Sequence, residues 1–522
     1  MESNLIWILV TIVAYLAVMV VVGIVCSKKN SNVGDFYLGG RKLGPIVTAM
    51  SAEASDMSSW LLMGLPGVAY LSGASEAGWT AIGLAIGTYV NWLIVAKPLR
   101  VYTQRCKNSI TIPDFFSNRY RDNKNILMGI AAAIILIFFV PYTASGFAAC
   151  GTLFESLFGM DYHLAMIISA VIIIAYTSIG GFLAASTTDL MQSIVMTLAL
   201  IILVIFGVHT AGGFDAVVDN AQSLTGYFSM TNQHDFLGNS SSEYSFLSIA
   251  STLAWGLGYF GMPHILLRFM AIDDKKKIKT SRRIASVWVV ISMAIAIFIG
   301  FIGNTLSAKG DINTLISVNE KGDVIDKSET VVIEIAKLMS ENGVILALFA
   351  GLIFAGILAC TMSTSDSQLL AASSSMSENI LGGVFKIKLD EKKKMLCARA
   401  VLIVIALLSV ILAWDPNSSV FEIVSFAWAG FGATFGPVML AALFWKRSNK
   451  WGALAGMVVG GIMVFAWKFG ISTLGGPWAI YELLPAFVAA TIAIVVVSLL
   501  TAPPEKEIVE EFDAVKLELK EN

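Results

Sequence analysis

The sequence predicts an all-α polytopic membrane protein of about thirteen transmembrane helices. Three observations carry that reading. Of 522 residues, 56% are hydrophobic and 14% charged, where a soluble chain carries about 25% charged. Apolar runs long enough to cross a ~30 Å hydrocarbon core recur from end to end. Lysine and arginine concentrate in alternate loops, which is how cytoplasmic loops are marked. The chain therefore reads as one transmembrane domain, 1–502, followed by a short polar tail, 503–522.

The elements follow in order. Span 1 (5–26) has no basic segment before it and Lys28 and Lys29 after it, so it is a membrane span and not a cleavable signal. Span 2 (45–72) is apolar at both ends and carries acids and hydroxyls in its middle. Spans 3 (76–98), 4 (125–156), 5 (162–184) and 6 (189–211) are apolar runs parted by polar or glycine-bearing turns. Span 7 (245–271) is interrupted by glycines and a proline. Span 8 (284–307) is uniform, and span 9 (343–376) holds a hydroxyl cluster. Spans 10 (396–414), 11 (419–445), 12 (451–472) and 13 (480–501) complete the domain.

The basic loops set the orientation. Lys28, Lys29, Arg41 and Lys42 follow span 1; Arg100, Arg105, Lys107, Arg119, Arg121 and Lys124 follow span 3; Lys275, Lys276, Lys277, Lys279, Arg282 and Arg283 follow span 7. Lys386, Lys388, Lys392, Lys393 and Lys394 follow span 9, and Lys446, Arg447 and Lys450 follow span 11. The loops 73–75, 157–161 and 212–244 are nearly free of lysine and arginine, and in 308–342 acids outnumber lysines. This places the protein in the cell membrane with its N-terminus outside and its tail inside. The tail after Pro503-Pro504 reads as solvated, with a short amphipathic helix as the alternative.

Other classes are argued against by what the sequence lacks. A net charge of −2 suggests no nucleic-acid partner. No phosphate-binding loop, zinc-protease helix or nucleophile elbow occurs, so the chain is not read as an enzyme or an ATP-driven pump. No cofactor and no obligate protein partner is expected. The five cysteines, Cys26, Cys106, Cys150, Cys360 and Cys397, are odd in number and lack metal-ligand spacing, so free thiols are expected. Asn239 and Asn417 begin Asn-x-Ser sequons, which matter only in a secretory-pathway host.

Three clusters point to a binding site. In span 2, Asp56 sits among Ser55, Ser58 and Ser59. An acid near the bilayer centre costs at least ~2.5–3.5 kcal/mol on insertion scales, so it usually faces a cavity and binds something. The serines weaken the helix, and an unwound backbone frees carbonyls for a small cation. In span 7, Trp255-Gly256-Leu257-Gly258-Tyr259-Phe260-Gly261-Met262-Pro263-His264 cannot form an uninterrupted helix. His264 beside this break either touches ligand or is structural. In span 9, Ser363 and Thr364 are adjacent hydroxyls, and hard cations prefer oxygen ligands; the alternative is that they bond back to their own helix. Asp366 is expected nearer the inner end, as a helix-end or gate residue.

The two interrupted spans are five apart. Interruptions at matching places point to an inverted repeat, here spans 2–6 and 7–11, with a site at the midplane and alternating access as the working principle. A channel is disfavoured by the absence of a potassium-type filter, and a sensor by the absence of a signalling domain.

Several motifs resemble the solute:sodium symporter family, and within it most closely the sodium/proline symporters. They are Asp35-Phe36-Tyr37-Leu38-Gly39-Gly40-Arg41, Ser55-Asp56-Met57-Ser58, Tyr176-Thr177-Ser178-Ile179-Gly180-Gly181-Phe182-Leu183-Ala184, the span-7 segment, and Gly436-Pro437 with Trp445-Lys446-Arg447 and Gly452-Ala453. The resemblance runs from about Asp35 to Gly460 and implies the leucine-transporter-type 5+5 fold. It implies sodium as co-substrate, bound by backbone carbonyls of Ala54, Met57 and Cys360 and hydroxyls of Ser363 and Thr364, with Asp56 the acid that sodium requires. It implies L-proline recognition by Ser58, Tyr142, Trp255, Tyr259 and Pro263, and a functional role for Asp189. The alternative is another small amino acid or carboxylate, or proton coupling. Two residues depart from the pattern. Glu53 adds an acid one turn before Asp56, and either pairs with arginine, faces water or alters coupling. Ser59 stands where glycine is usual.

Overall fold

The computed structural model describes residues 2–27, 32–318, 323–415 and 419–520; Lys28, Lys29 and Asn417 lie outside them. The fold is helical apart from two small antiparallel hairpins. Asn232–Asp235 pairs with Ser240–Glu243, and Ile316–Val318 pairs with Val324–Asp326.

Among the described residues, ten helices are long and apolar enough to cross a membrane. Three places account for the difference from the expected thirteen. Spans 5 and 6 follow each other without a loop inside Tyr162–Ala211, two helices meeting at a kink where Gly181 has φ 63° and ψ −167°, a conformation that needs glycine. Spans 2 and 7 are each cut into short pieces, because serines in one and glycines with proline in the other interrupt the hydrogen-bond ladder. Span 2 comprises Pro45–Asp56, a π-turn Trp60–Gly64 and Leu65–Ser72. Span 7 comprises Phe246–Leu253, a 3₁₀ segment Ala254–Phe260 and Pro263–Ala271. The two interrupted spans are the ones that build the site.

Helix starts follow ordinary capping chemistry. The side chains of Asn32, Thr111, Asp161, Ser245, Asp390, Ser419 and Asn449 each accept from a backbone N–H of the first turn. Burial sorts the spans into layers. In the most apolar window of Val420–Phe444, 83% of residues are buried, against 28% in Asn4–Cys26 and in Leu483–Leu500. Span 11 is thus central, while spans 1 and 13 leave most of their surface for lipid. Span 9 (Val344–Ser374) is also central, packed on Tyr162–Ala211, Ile126–Phe158 and Glu2–Ser27.

The two ends of the molecule differ. At one end the loop before span 7 reaches the span 2–3 turn, where Ala74 N donates to Tyr227 O at 2.8 Å. Glu329 of the 308–342 loop accepts from the N–H groups of Val420 and Phe421 at 3.1 and 2.9 Å, closing the start of span 11. At the other end the basic loops meet the tail. The tail is a helix, Lys506–Lys520, and its apolar stripe Ile508, Phe512 and Val515 is buried, so it is docked instead of solvated. Glu518 pairs with Arg105 (2.8 Å) and Lys275 (3.0 Å), Asp513 with Lys446 (2.5 Å), and Glu511 with Arg121. The loops after spans 3, 7 and 11 therefore share one face, as the charge alternation predicts.

Candidate functional site

The span-2 helix stops at Asp56. Met57 leaves helical geometry (φ −77°, ψ 65°), its N–H closing on Glu53 O at 2.8 Å, and Ser58 N turns back to Asp56 O at 2.8 Å. This releases the carbonyls of the last turn. One of them, Ala54 O, accepts from Ser363 Oγ of span 9 at 2.7 Å, and the same hydroxyl lies 3.1 Å from Cys360 O. Thr364 Oγ1, beside it, is buried without a hydrogen-bond partner. Of the five expected sodium ligands, Ala54, Cys360 and Ser363 are thus in direct contact, and Thr364 adjoins them with an unused oxygen. Span 9 does not satisfy its hydroxyls only within itself, because Ser363 reaches across to span 2.

Asp56 faces the other side of the break. Tyr259 of the 3₁₀ segment donates to Asp56 Oδ2 at 2.5 Å, tying the two interrupted spans together. Glycine makes this closeness possible: a side chain at Gly258 would overlap the Trp428 indole, and one at Gly256 would overlap the Gly83 carbonyl of span 3. Between the spans lies a nearly closed cavity of about 10 Å³, lined by Asp56, Met57, Trp60, Tyr142, Trp255 and Trp428 among others. That is room for about one water, so the aromatic side chains close over the site and must move apart to admit a substrate. Trp255 holds one wall, with Trp60, Trp428 and Tyr481 rings at 5.7, 6.3 and 5.1 Å. Its carbonyl accepts from Trp428 Nε1 at 2.8 Å.

The expected substrate residues divide. Tyr142 and Trp255 line the cavity, and Tyr259 acts on it through Asp56. Ser58 and Pro263 are not among its lining residues. Ser58 Oγ instead accepts from Trp60 N at 3.2 Å, starting the second half of span 2. Pro263 is the first residue of the second half-helix of span 7, where its missing N–H is no loss. A larger open cavity at the end of span 9, bordered by Asp114, Glu378 and Lys394, shares no residue with this site.

Asp189 belongs to a separate buried network. Arg268 Nη2 pairs with Asp189 Oδ2 at 3.1 Å and Ser367 Oγ at 2.5 Å, while its Nε donates to Ser51 Oγ at 3.0 Å. Ser51 donates to Asp189 at 2.6 Å. Ser367 also donates to Asp366, which takes a second hydrogen bond from Tyr176. Asp366 is therefore neither a helix end nor exposed: it lies inside Val344–Ser374, fully buried. Sequence reasoning missed Arg268, although an arginine within an apolar span is itself a signal. His264 is buried with the Phe139 and Tyr142 rings at 5.5 and 6.4 Å, its carbonyl accepts from Arg268 Nη1 at 2.9 Å, and neither ring nitrogen has a hydrogen-bond partner. Glu53 does not pair with arginine and does not face water. It is 1% exposed, and its Oε1 accepts from Trp92 Nε1 at 3.0 Å. Ser59 is likewise buried, its hydroxyl unpartnered.

Two interrupted spans facing each other around a small cavity, with oxygen ligands contributed by a third span, define a secondary transporter of the leucine-transporter-type fold. The comparisons with known proteins agree. The sodium:solute symporter family matches residues 36–460, and the chain belongs to that family. It is 43% identical to the sodium/proline symporter of Haemophilus influenzae, over 98% of both chains. It is 40% identical to the high-affinity proline transporter PutP of Bacillus subtilis, over 95% of this chain and 98% of that one. A solved sodium-coupled sialic acid symporter shares the fold, with a TM-score of 0.75 over 96% of this chain and 99% of its own, at 18% identity.

Proposed function

We propose that this protein is a sodium-coupled symporter of L-proline, working by alternating access. The observation that carries the sodium half is the meeting of Ser363 Oγ with the carbonyls of Ala54 and Cys360, beside the unpartnered Thr364 hydroxyl. These oxygens, with the Met57 carbonyl, hold one sodium ion, and Asp56 supplies negative charge beside it. The proline half rests on relatives about 40% identical over nearly the whole chain, and on the aromatic residues gathered around Asp56 between the two interrupted spans. Trp255 and Tyr142 offer rigid walls to a pyrrolidine ring, Tyr259 holds Asp56, and Ser58 and Pro263 set the half-helix starts. The substrate carboxylate lies at the N-terminal end of a half-helix, where the dipole favours an anion. Asp189 acts through Arg268, holding the second half of span 7 against spans 2, 6 and 9. The protein sits in the cell membrane with its N-terminus outside and its tail in the cytoplasm.

One sodium ion moving down 100 mV releases ~2.3 kcal/mol, and a tenfold gradient adds ~1.4 kcal/mol. Together they sustain roughly several-hundredfold accumulation, enough for nutrient scavenging or osmotic protection. The test is uptake of labelled proline into proteoliposomes with sodium and proton gradients imposed separately. Uptake against a gradient driven by sodium alone is expected; uptake driven by protons alone overturns the reading.

A further inference from the structure

Glu53 is a buried acid for which the sodium site above has no use. Its Oε1 is taken by Trp92 Nε1 at 3.0 Å, and its Oε2 has no hydrogen-bond partner. Two more buried oxygens on span 3 are also unpartnered, Thr88 Oγ1 and Asn91 Oδ1. Thr88, Asn91 and Trp92 are spaced i, i+3 and i+4, so they share one helical face, and Trp92 fixes that face against Glu53. The Asn91 amide cannot be reversed without loss. Its Nδ2 donates to the Tyr259 carbonyl at 3.0 Å, which only the nitrogen end can do, so the oxygen end is the free one. Tyr259 in turn binds Asp56 at 2.5 Å, so all of these groups surround one segment of span 7. Asn91 also opens a π-turn, Asn91–Val95, a distortion that recurs at functional sites. Native interiors leave few such atoms unsatisfied, and three oxygens facing one segment with few donors to share are a surface made for a cation.

The charge balance points the same way. Glu53 and Asp56 are buried one turn apart, 1% and 7% exposed. Arg268 is committed to Asp189, Ser51 and Ser367. One sodium at the Ala54–Thr364 site offsets a single carboxylate, so the second must be neutralised by a proton or by another cation, and the partnerless oxygens of Glu53, Thr88 and Asn91 favour a cation that takes several oxygen ligands.

We propose that Glu53, with Thr88 and Asn91, binds a second sodium ion between spans 2 and 3. This rests on the sodium-symport reading. The consequence is a coupling of two sodium ions per substrate, which squares the limiting accumulation, from several hundredfold to on the order of 10⁵.

The test measures labelled sodium and labelled proline fluxes together in proteoliposomes of the full-length protein. A flux ratio near two is expected for the unaltered protein, falling to one in Glu53→Gln, which keeps an acceptor for Trp92 and nearly the same volume. Thr88→Val is expected to raise the sodium concentration for half-maximal uptake about tenfold, and it reports on the site if Glu53→Gln does not fold. Sodium-driven uptake at a ratio of one in the unaltered protein overturns the second site while leaving sodium symport standing. A ratio of two retained in Glu53→Gln overturns the assignment to Glu53. A ratio of one accompanied by proton flux that vanishes in Glu53→Gln also overturns it, identifying the second ion as a proton. Uptake indifferent to sodium altogether defeats the reading on which the proposal rests.

Discussion

The midplane between spans 2, 7 and 9 and the face where the tail docks treat charge in opposite ways. At the midplane, Asp56 meets a tyrosine and Glu53 a tryptophan, neither meets a cation, and Thr364, Thr88 and Asn91 keep unused oxygens. On the tail, Glu511, Asp513 and Glu518 each meet a lysine or arginine, drawn from the loops after spans 3, 7 and 11. The difference teaches where a mobile ion belongs. A carboxylate that the protein pairs internally holds structure. One left without a counter-charge, in a place where leaving it so is expensive, is complete only when an ion arrives. Asp189 shows the contrast within the membrane domain itself, since the protein's own Arg268 pairs with it.

The sharpest way to break this comparison is Asp56→Asn. The change keeps the shape and an acceptor for Tyr259 but removes the charge. Sodium dependence of uptake is expected to be lost, with melting temperature near that of the unaltered protein. Normal uptake with an unchanged sodium requirement would mean that Asp56 belongs with the structural charges. Ser363→Ala combined with Thr364→Ala comes next. Oxygen contacts to a charged group are worth ~1.5–3 kcal/mol each, so the sodium concentration for half-maximal uptake should rise about a hundredfold or more. A fall in proline affinity at saturating sodium, with the sodium response intact, would move both hydroxyls to the substrate side of the site.

Trp255→Leu tests whether the cavity wall acts on substrate separately from the ion. Losing one wall of a small pocket costs ~1–3 kcal/mol, roughly ten- to hundredfold in apparent proline affinity. Sodium binding without proline should change far less, since its proposed ligands lie on spans 2 and 9. If Trp255 only packs against Trp428 and Tyr481, the melting temperature falls and the affinity stays.

Much of the site was legible because its signals are local. Serines around Asp56 and glycines around Tyr259 weaken a helix wherever they occur, so both breaks could be placed before any contact was known. The proposed ion ligands Ser363 and Thr364 stand out as hydroxyls deep in an apolar run. The Arg268 network was not legible, because Ser51, Asp189, Arg268 and Ser367 come from four spans and no local pattern links them. Asp366 was misplaced for the same reason: its partner Tyr176 is 190 residues away in sequence. The boundary between spans 5 and 6 falls at the Gly181 kink and not at 185–188, because a glycine at φ 63° breaks a helix without leaving a polar stretch in the sequence. The tail is an intermediate case. Ile508, Phe512 and Val515 recur at helical spacing, so an amphipathic helix could be read, but the surface receiving it could not.

The smallest expected effect belongs to the tail, and it sharpens the comparison from the structural side. Glu518 lies between Arg105 and Lys275, and these cations hold its carboxyl below the ordinary carboxylate range. A depressed value in the folded state means that the pair's stabilisation is fully present above that ordinary range. It is lost as the pH falls through the lowered value. The side chains remain 22–45% exposed, so solvent and salt screen them, and pairs of this kind contribute about 0.2–1 kcal/mol. Glu518→Gln should therefore lower the melting temperature of the purified protein by only a few degrees near neutral pH. The difference from the unaltered protein should shrink toward zero in strong acid or at molar salt. Sodium and proline affinities should not change, because no residue of the tail reaches the cavity. A large change in the sodium requirement of Glu518→Gln would show that the tail's charges are coupled to the ion site, and the division between structural and ion-binding charges would fail.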